Sequence, residues 1–292
     1  MAQRALVLGG GGIVGIAWEA GVIAGLAERG VRLAQAEEMI GTSAGSLVGA
    51  WLAGGRDFAA IAAAQAAPLA GGRGGHGPAP DPASLARVFR IWTSFESVGP
   101  EQARELGALA LAAPTPPEAR SVAWIARELA STSWPARLRV TAVDAQSGEL
   151  RVFDAKSGVP LERAVAASCC VPGIFAPVSI QGRRYVDGGV LSGTHADLAL
   201  ESGARHVLAL VPFVRGNAGL ARLLYQHLDA ELVVLREAGV EVVLLTPSRE
   251  DARVLGIDFM DPKKRTDAVH LGLETGRREA ERAELAAWRV RS

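Results

Sequence analysis

Residues 37–50, EEMIGTSAGSLVGA, place one serine where it could act as a nucleophile. Ser43 has Gly41 two positions before it and Gly45 two positions after it, which fits the G-x-S-x-G pattern of a nucleophile elbow. An apolar run precedes the motif and a helical pattern follows it, so we expect a strand-to-helix turn. The start of that helix would favour negative charge near the hydroxyl. The alternative is that Ser43 merely caps the helix of an ordinary α/β turn.

A second glycine turn follows a short apolar stretch near the N-terminus. Gly10-x-Gly12-x-x-Gly15 matches the dinucleotide-binding fingerprint, which also requires an acidic residue at the end of the second strand. Glu37 and Glu38 lie at about the right distance, but they precede the apolar strand instead of ending it. The bare amides of a glycine loop can instead form an oxyanion hole, where a side chain would be in the way. The serine-bearing turn nearby favours the oxyanion hole.

An aspartate in front of two glycines stands out in the segment GRRYVDGG. Asp187 lies at the end of a predicted strand, and Gly188 and Gly189 behind it would allow a close approach to another backbone segment. The alternative is an aspartate in an ordinary β-turn.

The elements predicted around these residues alternate as in a parallel α/β sheet. A buried strand at 5–8 leads into a helix that Gly30 should end, and a second strand near Ile40 leads to the serine. Residues 84–131 are mostly helical in pattern, and several strand-like stretches follow.

Towards the C-terminus, HVLALVPF and EVVLLTP are continuous apolar runs, so we predict two inner strands that are buried on both faces. Helices are predicted from about Gly219 to Ala238 and from about Asp267 to Trp288. The sequence contains no internal repeat and no clear linker, so all 292 residues are expected to form a single domain.

The motifs GGGGIVG, GTSAGS and DGG, in this order and at these separations, resemble the patatin-like phospholipase family. The segment ASCCVPGIFAPV is similar to that family's Pro-Gly-Phe-Pro-type segment, and the resemblance covers residues 4–212. It implies a three-layer α/β/α fold with a mostly parallel central sheet and a helical insert, followed here by a C-terminal α/β extension at 213–292. It also implies a lipid acyl hydrolase or carboxylesterase of the phospholipase A type, with no cofactor or metal.

The same resemblance implies roles for individual residues. Ser43 would be the nucleophile and Asp187 the base of a Ser–Asp dyad that works through an acyl-serine intermediate. The oxyanion hole would use Gly10, Gly11 and Gly12, and the supporting glycines would be Gly15, Gly41, Gly45, Gly188 and Gly189. A serine hydroxyl is a poor nucleophile until a base removes its proton. An aspartate with the ordinary pKa of about 3.9 is a weak base for this purpose. Burial among apolar residues would raise its pKa and make it a stronger base.

The sequence departs from the family pattern at two places. Val14 occupies a position where the family usually has Arg or Lys, which favours neutral esters over anionic phospholipids. The Asn and Pro that often follow the Asp-Gly-Gly are missing from VLSGTHADLAL, which instead contains His195. A Ser–His–Asp triad is the obvious alternative. Because the acid and the histidine of such triads usually lie on separate loops, we expect His195 to have a capping or supporting role instead.

The helical segment 84–131 could cap the site and hold an acyl chain with apolar side chains, or those side chains could pack in the core. They are Val88, Phe89, Ile91 and Trp92. Residues 68–82 are rich in Gly and Pro, and so long a loop is typically functional or disordered. Whether 68–131 moves as a lid is left open.

Composition argues against several other functions. Basic and acidic residues number 31 each, so a nucleic-acid binder is not expected. Cys169 and Cys170 are adjacent and cannot link distant segments, which, with no signal peptide, indicates packing roles and a cytoplasmic location. No apolar run reaches membrane-spanning length, so any membrane contact should be peripheral. His206, His227 and His270 show no ligand spacing and are expected to be structural or surface groups, and His76 in the Gly/Pro loop is expected to face solvent. A nucleotide-binding protein and a non-catalytic lipid-binding protein remain alternatives.

Overall fold

The computed structural model describes residues 3–67, 82–129, 133–214, 219–256 and 258–289. The predicted Gly/Pro loop, with His76, lies almost entirely outside these residues, so the question of a lid at 68–131 stays open. The strands are β1 (Arg4–Leu8), β2 (Glu38–Thr42), β3 (Leu138–Asp144), β4 (Leu150–Phe153), β5 (Val178–Ile180), β6 (Arg183–Asp187), β7 (His206–Leu210) and β8 (Glu241–Leu245). The helices are α1 (Gly12–Glu28), α2 (Ala44–Ala53), α3 (Phe58–Ala66), α4 (Pro82–Ser94), α5 (Pro100–Ala112), α6 (Glu118–Leu129), α7 (Leu161–Ser168), α8 (Gly219–Glu237), α9 (Arg249–Leu255) and α10 (Arg265–Glu279).

The strands form one sheet in the order β5-β6-β3-β2-β1-β7-β8, and β4 pairs with β3. Strands β3, β2, β1, β7 and β8 are parallel, whereas β4 and β6 run antiparallel to β3 and β5 runs antiparallel to β6. The carboxyl ends of parallel strands meet at one edge of a sheet, which is where ligands bind in open α/β folds. The turns after β1 and β2, which carry the glycine loop and Ser43, therefore lie side by side.

Helices cover both faces of the sheet because successive strand residues point to opposite sides. Leu6 and Leu8 of β1 pack in a core that includes residues of α1, α2 and α10. Ala5 and Val7 of the same strand pack in a second core with α8. The result is the three-layer α/β/α fold with a mostly parallel sheet that the motifs predicted.

Four glycines allow α1 and α10 to pack with their backbones almost in contact. A Cβ atom on Gly21 or Gly25 of α1 would lie within 2.4 Å of a carbonyl oxygen of α10. Gly272 and Gly276 of α10 meet the backbone of α1 in the same way. The segment after residue 212 thus packs directly on the helix that follows the glycine loop, and it also contributes β8 to the sheet.

The prediction that β8 is an inner strand is wrong, because β8 lies at the edge of the sheet beside β7. Val243 and Leu245 are buried against one layer of helices, and Val242 and Leu244 pack partly against the other. A strand whose two faces are both covered has a continuous apolar sequence even when one of its edges is free, so the pattern alone cannot separate these cases.

The C-terminal helix is also shorter than predicted. Helix α10 ends at Glu279, and a separate 3₁₀ turn, Ala283–Trp288, follows the extended residue Arg282. Two helices, α3 and α9, were not predicted at all. Within the ranges that the structure describes, no helix is both long enough and apolar enough to cross a bilayer.

Candidate active site

Ser43 is the turn residue between β2 and α2, and its backbone is strained. Its φ of 53° and ψ of −122° lie in a region that residues with a side chain rarely adopt. Its N–H donates to Ser168 Oγ at 2.8 Å, and its carbonyl oxygen accepts the hydroxyl of Ser46 at 2.7 Å. These buried bonds stabilise the strained turn, which explains how a serine can occupy it.

The glycines on either side of Ser43 are required by close backbone contacts. A Cβ atom on Gly45 would lie 2.1 Å from Leu8 O, and one on Gly41 would lie 2.6 Å from Ser46 Cα. Real Cβ atoms do not approach other atoms so closely. The absence of both side chains lets α2 begin directly against the end of β1, and this brings the serine next to the glycine loop.

The registers of three strands bring the aspartate to the serine. Thr42 pairs with Thr141 between β2 and β3, and Ala142 pairs with Asp187 between β3 and β6. Asp187 therefore lies within reach of the residue that follows Thr42. Ser43 Oγ donates a hydrogen bond of 2.7 Å to Asp187 Oδ2.

Asp187 occupies an environment that changes its acidity. Its side chain is buried, and its Oδ1 accepts the N–H of Gly189 at 2.7 Å. Burial raises the pKa of this carboxyl to about 7, although the hydrogen bonds from Ser43 and Gly189 act in the opposite direction. Gly188 is needed here because a Cβ atom on it would lie 2.4 Å from Thr141 Oγ1.

The glycine loop differs in one detail from the expected oxyanion hole. The N–H of Gly10 already donates to Gly193 O at 2.8 Å, which argues against Gly10 as an oxyanion donor. The lack of a side chain at Gly10 instead leaves room for Ser43, whose Cβ would lie 3.3 Å from an added Cβ. The amides of Gly11 and Gly12, at the start of α1, donate to no other described residue. Gly15 supports the loop by packing against Pro212.

A cavity of about 90 Å³ opens beside Ser43 and Asp187, and most of its walls are apolar. The other lining residues are Gly10, Gly11, Gly12, Phe89, Trp92, Val171, Ile174, Gly189, Gly193, Phe213, Leu220, Leu224, Phe259 and Met260. Of the four apolar α4 residues expected to face a substrate, Phe89 and Trp92 line the cavity. Val88 and Ile91 pack in a core with α5 instead, so both interpretations of this segment hold in part.

No lysine or arginine is among the described residues that line the cavity. Val14, which replaces a basic residue of the family pattern, has a buried side chain, and its N–H donates to Phe259 O at 3.1 Å. Asp187 is the titratable group in the lining. The cavity therefore suits an apolar, uncharged chain better than an anionic group.

His195 is bonded to the aspartate turn. Its ring is buried, and Nε2 lies 3.1 Å from Gly188 O, so this nitrogen must carry a proton to donate to the carbonyl. Its side chain makes no hydrogen bond to Ser43 or Asp187 within the described structure, and it does not cap the 3₁₀ helix that follows. This geometry offers no Ser–His–Asp triad, and the supporting role expected of His195 stays a prediction.

Two further contacts at the site could not be expected from local patterns. Ser168, at the end of α7, accepts the Ser43 amide, and the Cys169 thiol donates to Ser43 O at 3.2 Å. Burial raises the pKa of both Cys169 and Cys170, so the thiols stay protonated and pack as predicted. A third residue, Glu231 on α8, is bonded to the turn at 192–196 beside the site. The sequence gives one indication of its importance, because its spacing from Leu228 and Leu232 places a carboxylate on an apolar helix face.

This geometry places the chain among three-layer α/β/α proteins that carry a serine at the elbow between a parallel strand and a helix. A family model described as patatin-like phospholipase matches residues 6–200, and the chain belongs to this family. Membership confirms the resemblance seen in the three motifs. It also implies hydrolysis of lipid acyl esters.

Two solved structures are similar to this chain over nearly all of its length. VipD from Legionella pneumophila has a TM-score of 0.50 and 14% identity, over 98% of this chain and 67% of VipD. The type III effector protein ExoU has a TM-score of 0.44 and 18% identity, over 97% of this chain and 53% of ExoU. At these identities, the likeness to VipD supports the fold alone. A search of curated proteins gave no match.

Proposed function

We propose that this protein hydrolyses acyl esters of uncharged lipids or related carboxylic esters, with Ser43 as the nucleophile and Asp187 as the general base. The observation that carries this proposal is the 2.7 Å hydrogen bond from Ser43 Oγ to Asp187 Oδ2, in a buried site at the wall of an apolar cavity. A base must lie within hydrogen-bonding distance of the proton that it removes, and this one does.

In the first half of the reaction, ionised Asp187 takes the proton of Ser43 while Oγ attacks the ester carbonyl. The amides of Gly11 and Gly12 donate to the oxygen on which negative charge develops, and the dipole of α1 favours that charge. When the tetrahedral intermediate collapses, Asp187 returns the proton to the departing alcohol. The acyl group is left on Ser43.

In the second half, Asp187 removes a proton from a water molecule, which attacks the acyl-serine. The same two amides stabilise the second tetrahedral intermediate. Collapse releases the carboxylic acid and returns the proton to Ser43 Oγ. The aspartate is suited to this role for two reasons. Its pKa of about 7 makes it a far stronger base than an exposed aspartate, and it is still partly ionised at neutral pH.

The lining of the cavity supports an uncharged substrate. Aromatic and aliphatic side chains of α4 and α8, among them Phe89, Trp92 and Leu224, form its walls. Burying an acyl chain against them would release water from apolar surface on both sides. An anionic headgroup would meet the Asp187 carboxylate with no cation among the described lining residues, so neutral esters are favoured.

A fluorophosphonate probe is expected to label the protein once, on the peptide that contains Ser43, because such probes react with activated serines. Mass spectrometry of the digested protein locates the adduct. Ser43→Ala should show no labelling and no hydrolysis of p-nitrophenyl esters. Wild-type protein that is folded, yet neither labelled nor active on esters of any chain length, would contradict the proposed function.

The rate should rise with pH through about 7. Below this pH the Asp187 carboxyl is protonated and cannot accept the serine proton, so kcat/KM should fall about tenfold for each pH unit. Above it, the rate should level off. Measuring kcat/KM from pH 5 to pH 9 with a substrate that does not titrate tests this, and a profile that is flat between pH 5 and pH 8 would exclude a base with this pKa.

A further inference from the structure

The turn formed by residues 192–196 contacts all three motif segments of the site. We call it the anchor turn. Its contacts are Gly193 O with Gly10 N–H at 2.8 Å, His195 Nε2 with Gly188 O at 3.1 Å, and Thr194 O with Thr42 Oγ1 at 3.4 Å. The glycine loop and the serine elbow are therefore bonded to the backbone of this short turn, and the aspartate turn is bonded to its His195 side chain. It is also the stretch in which the sequence departs from the family pattern.

One carboxylate on a distant helix holds the anchor turn. Glu231 Oε1 accepts the hydroxyl of Ser192 at 2.5 Å, and Oε2 accepts the hydroxyl of Thr194 at 2.6 Å and the N–H of Ala196 at 2.8 Å. Three donors from five consecutive residues thus converge on one side chain. Hydrogen bonds to a carboxylate are stronger than bonds between neutral groups.

The position of Glu231 within α8 makes a mere packing role a poor explanation. The side chain is only 8% exposed, and the buried neighbours on the same helix face, Leu228 and Leu232, pack in the core. Burying a carboxylate is costly unless it is fully hydrogen-bonded. No described arginine or lysine pairs with it, so the donors of the anchor turn are what make its burial tolerable.

We propose that Glu231 is a positioning residue for the catalytic centre, acting through the anchor turn. This inference rests on the proposed function, because it assigns Glu231 to that same site. Glu231 fixes the turn, the turn fixes the Gly188 carbonyl beside Asp187, and the turn also fixes the Gly10 amide that precedes the amides of Gly11 and Gly12. Glu231 lies beyond residue 200, outside the part of the chain that matches the family model.

The test compares Glu231→Ala and Glu231→Gln with a matched control, Glu38→Ala. Glu38 is also a buried carboxylate, bonded to Ser202 at 2.5 Å and Arg139 at 3.1 Å, but it begins β2 at the end of the strand away from Ser43. The measurements are kcat and KM on a p-nitrophenyl ester, the rate constant of fluorophosphonate labelling, and Tm.

Glu231→Ala should lower kcat and the labelling rate about 10- to 100-fold, since small displacements of reacting groups are costly, while KM stays within about threefold. Glu231→Gln should recover most of the loss, because the amide has nearly the same shape and its oxygen can still accept two of the three bonds. The control should lower Tm but leave kcat within about twofold of wild type.

The inference is overturned if Glu231→Ala, at equal folded fraction, loses no more activity than Glu38→Ala. Should Glu231→Ala fail to fold, Thr194→Val removes one of the three donors and should lower kcat several-fold in a folded protein; an unchanged kcat there overturns the inference as well. Wild-type protein that does not react with the probe would instead refute the proposed function itself, so the two failures are distinguishable.

Discussion

Replacing Asp187 by Asn is expected to lower kcat by roughly 10³- to 10⁴-fold in a protein that remains folded. The amide oxygen of Asn can accept the Gly189 N–H as Oδ1 does now, and its NH₂ group can donate to Ser43 Oγ, so the geometry of the turn is retained. An amide cannot take up the serine proton at any ordinary pH. Steady-state kinetics on an activated ester provides the measurement.

Stability separates this loss of function from a loss of structure. Because burial raises the pKa of Asp187 from 3.8 to about 7, the native wild type binds a proton more tightly than the unfolded chain does, and it loses stability as the pH rises between these values. The Asn variant has no carboxyl at this position, so it does not undergo this loss of stability as the pH rises. Its stability relative to wild type should therefore increase between pH 5 and pH 8, by on the order of 3 kcal/mol.

Urea unfolding at the two pH values measures this difference. Full activity of Asp187→Asn would exclude the carboxylate as the base. An inactive variant that is less stable than wild type at pH 8 would assign the residue a structural role, since relief of a buried charge should have the opposite effect.

Gly45→Ala is expected to destabilise the protein by more than about 4 kcal/mol or to prevent folding. The new Cβ atom would lie 2.1 Å from Leu8 O and 2.3 Å from Leu8 C, which are backbone atoms of the central strand β1. Neither helix α2 nor β1 can move aside without breaking the sheet or the elbow. Any protein that folds should also react more slowly with the fluorophosphonate probe, because α2 carries the serine at its start.

Gly49→Ala is the matched control, because it lies one turn later in the same helix. There the new Cβ would meet only side-chain ends, Leu138 Cδ1 at 3.0 Å and Leu8 Cδ1 at 3.2 Å. Both substitutions gain about 1 kcal/mol of helix propensity, so their difference isolates the backbone contact. Gly49→Ala should stay within about 1 kcal/mol of wild type in urea unfolding. Equal stabilities of the two variants would mean that the elbow yields easily to a side chain.

The elements beside the motifs could be predicted because their signals are local. An apolar run followed by glycines marks the end of β1, and the spacing of glycines around Ser43 marks a tight turn. The meeting of Ser43 and Asp187 could be predicted only through the resemblance to a family, because it depends on the registers of β2, β3 and β6. Nothing in either motif encodes those registers.

Other features depend on contacts between residues far apart in the chain. The Gly10 amide was expected to be free, but its acceptor is Gly193, whose place beside it follows from the path of the chain after β6. The apolar run of β8 indicates that both faces of the strand are covered, but it does not indicate whether the strand lies inside the sheet or at its edge. The carboxylate of Glu231 stands out on the apolar face of α8, yet its partners lie more than one element away.

The near-contact of α1 and α10 has a consequence for how the chain can vary. Each of the four glycines makes room for the backbone of the opposite helix, so a methyl group at Gly21, Gly25, Gly272 or Gly276 would force the pair apart along its whole length. The amides of Gly11 and Gly12 lie at the start of α1 and line the cavity. A displacement of α1 away from α10 would therefore also move these two amides. Helix α10 therefore fixes the position of α1, and a side chain at any of these four glycines requires the backbone of the opposite helix to move.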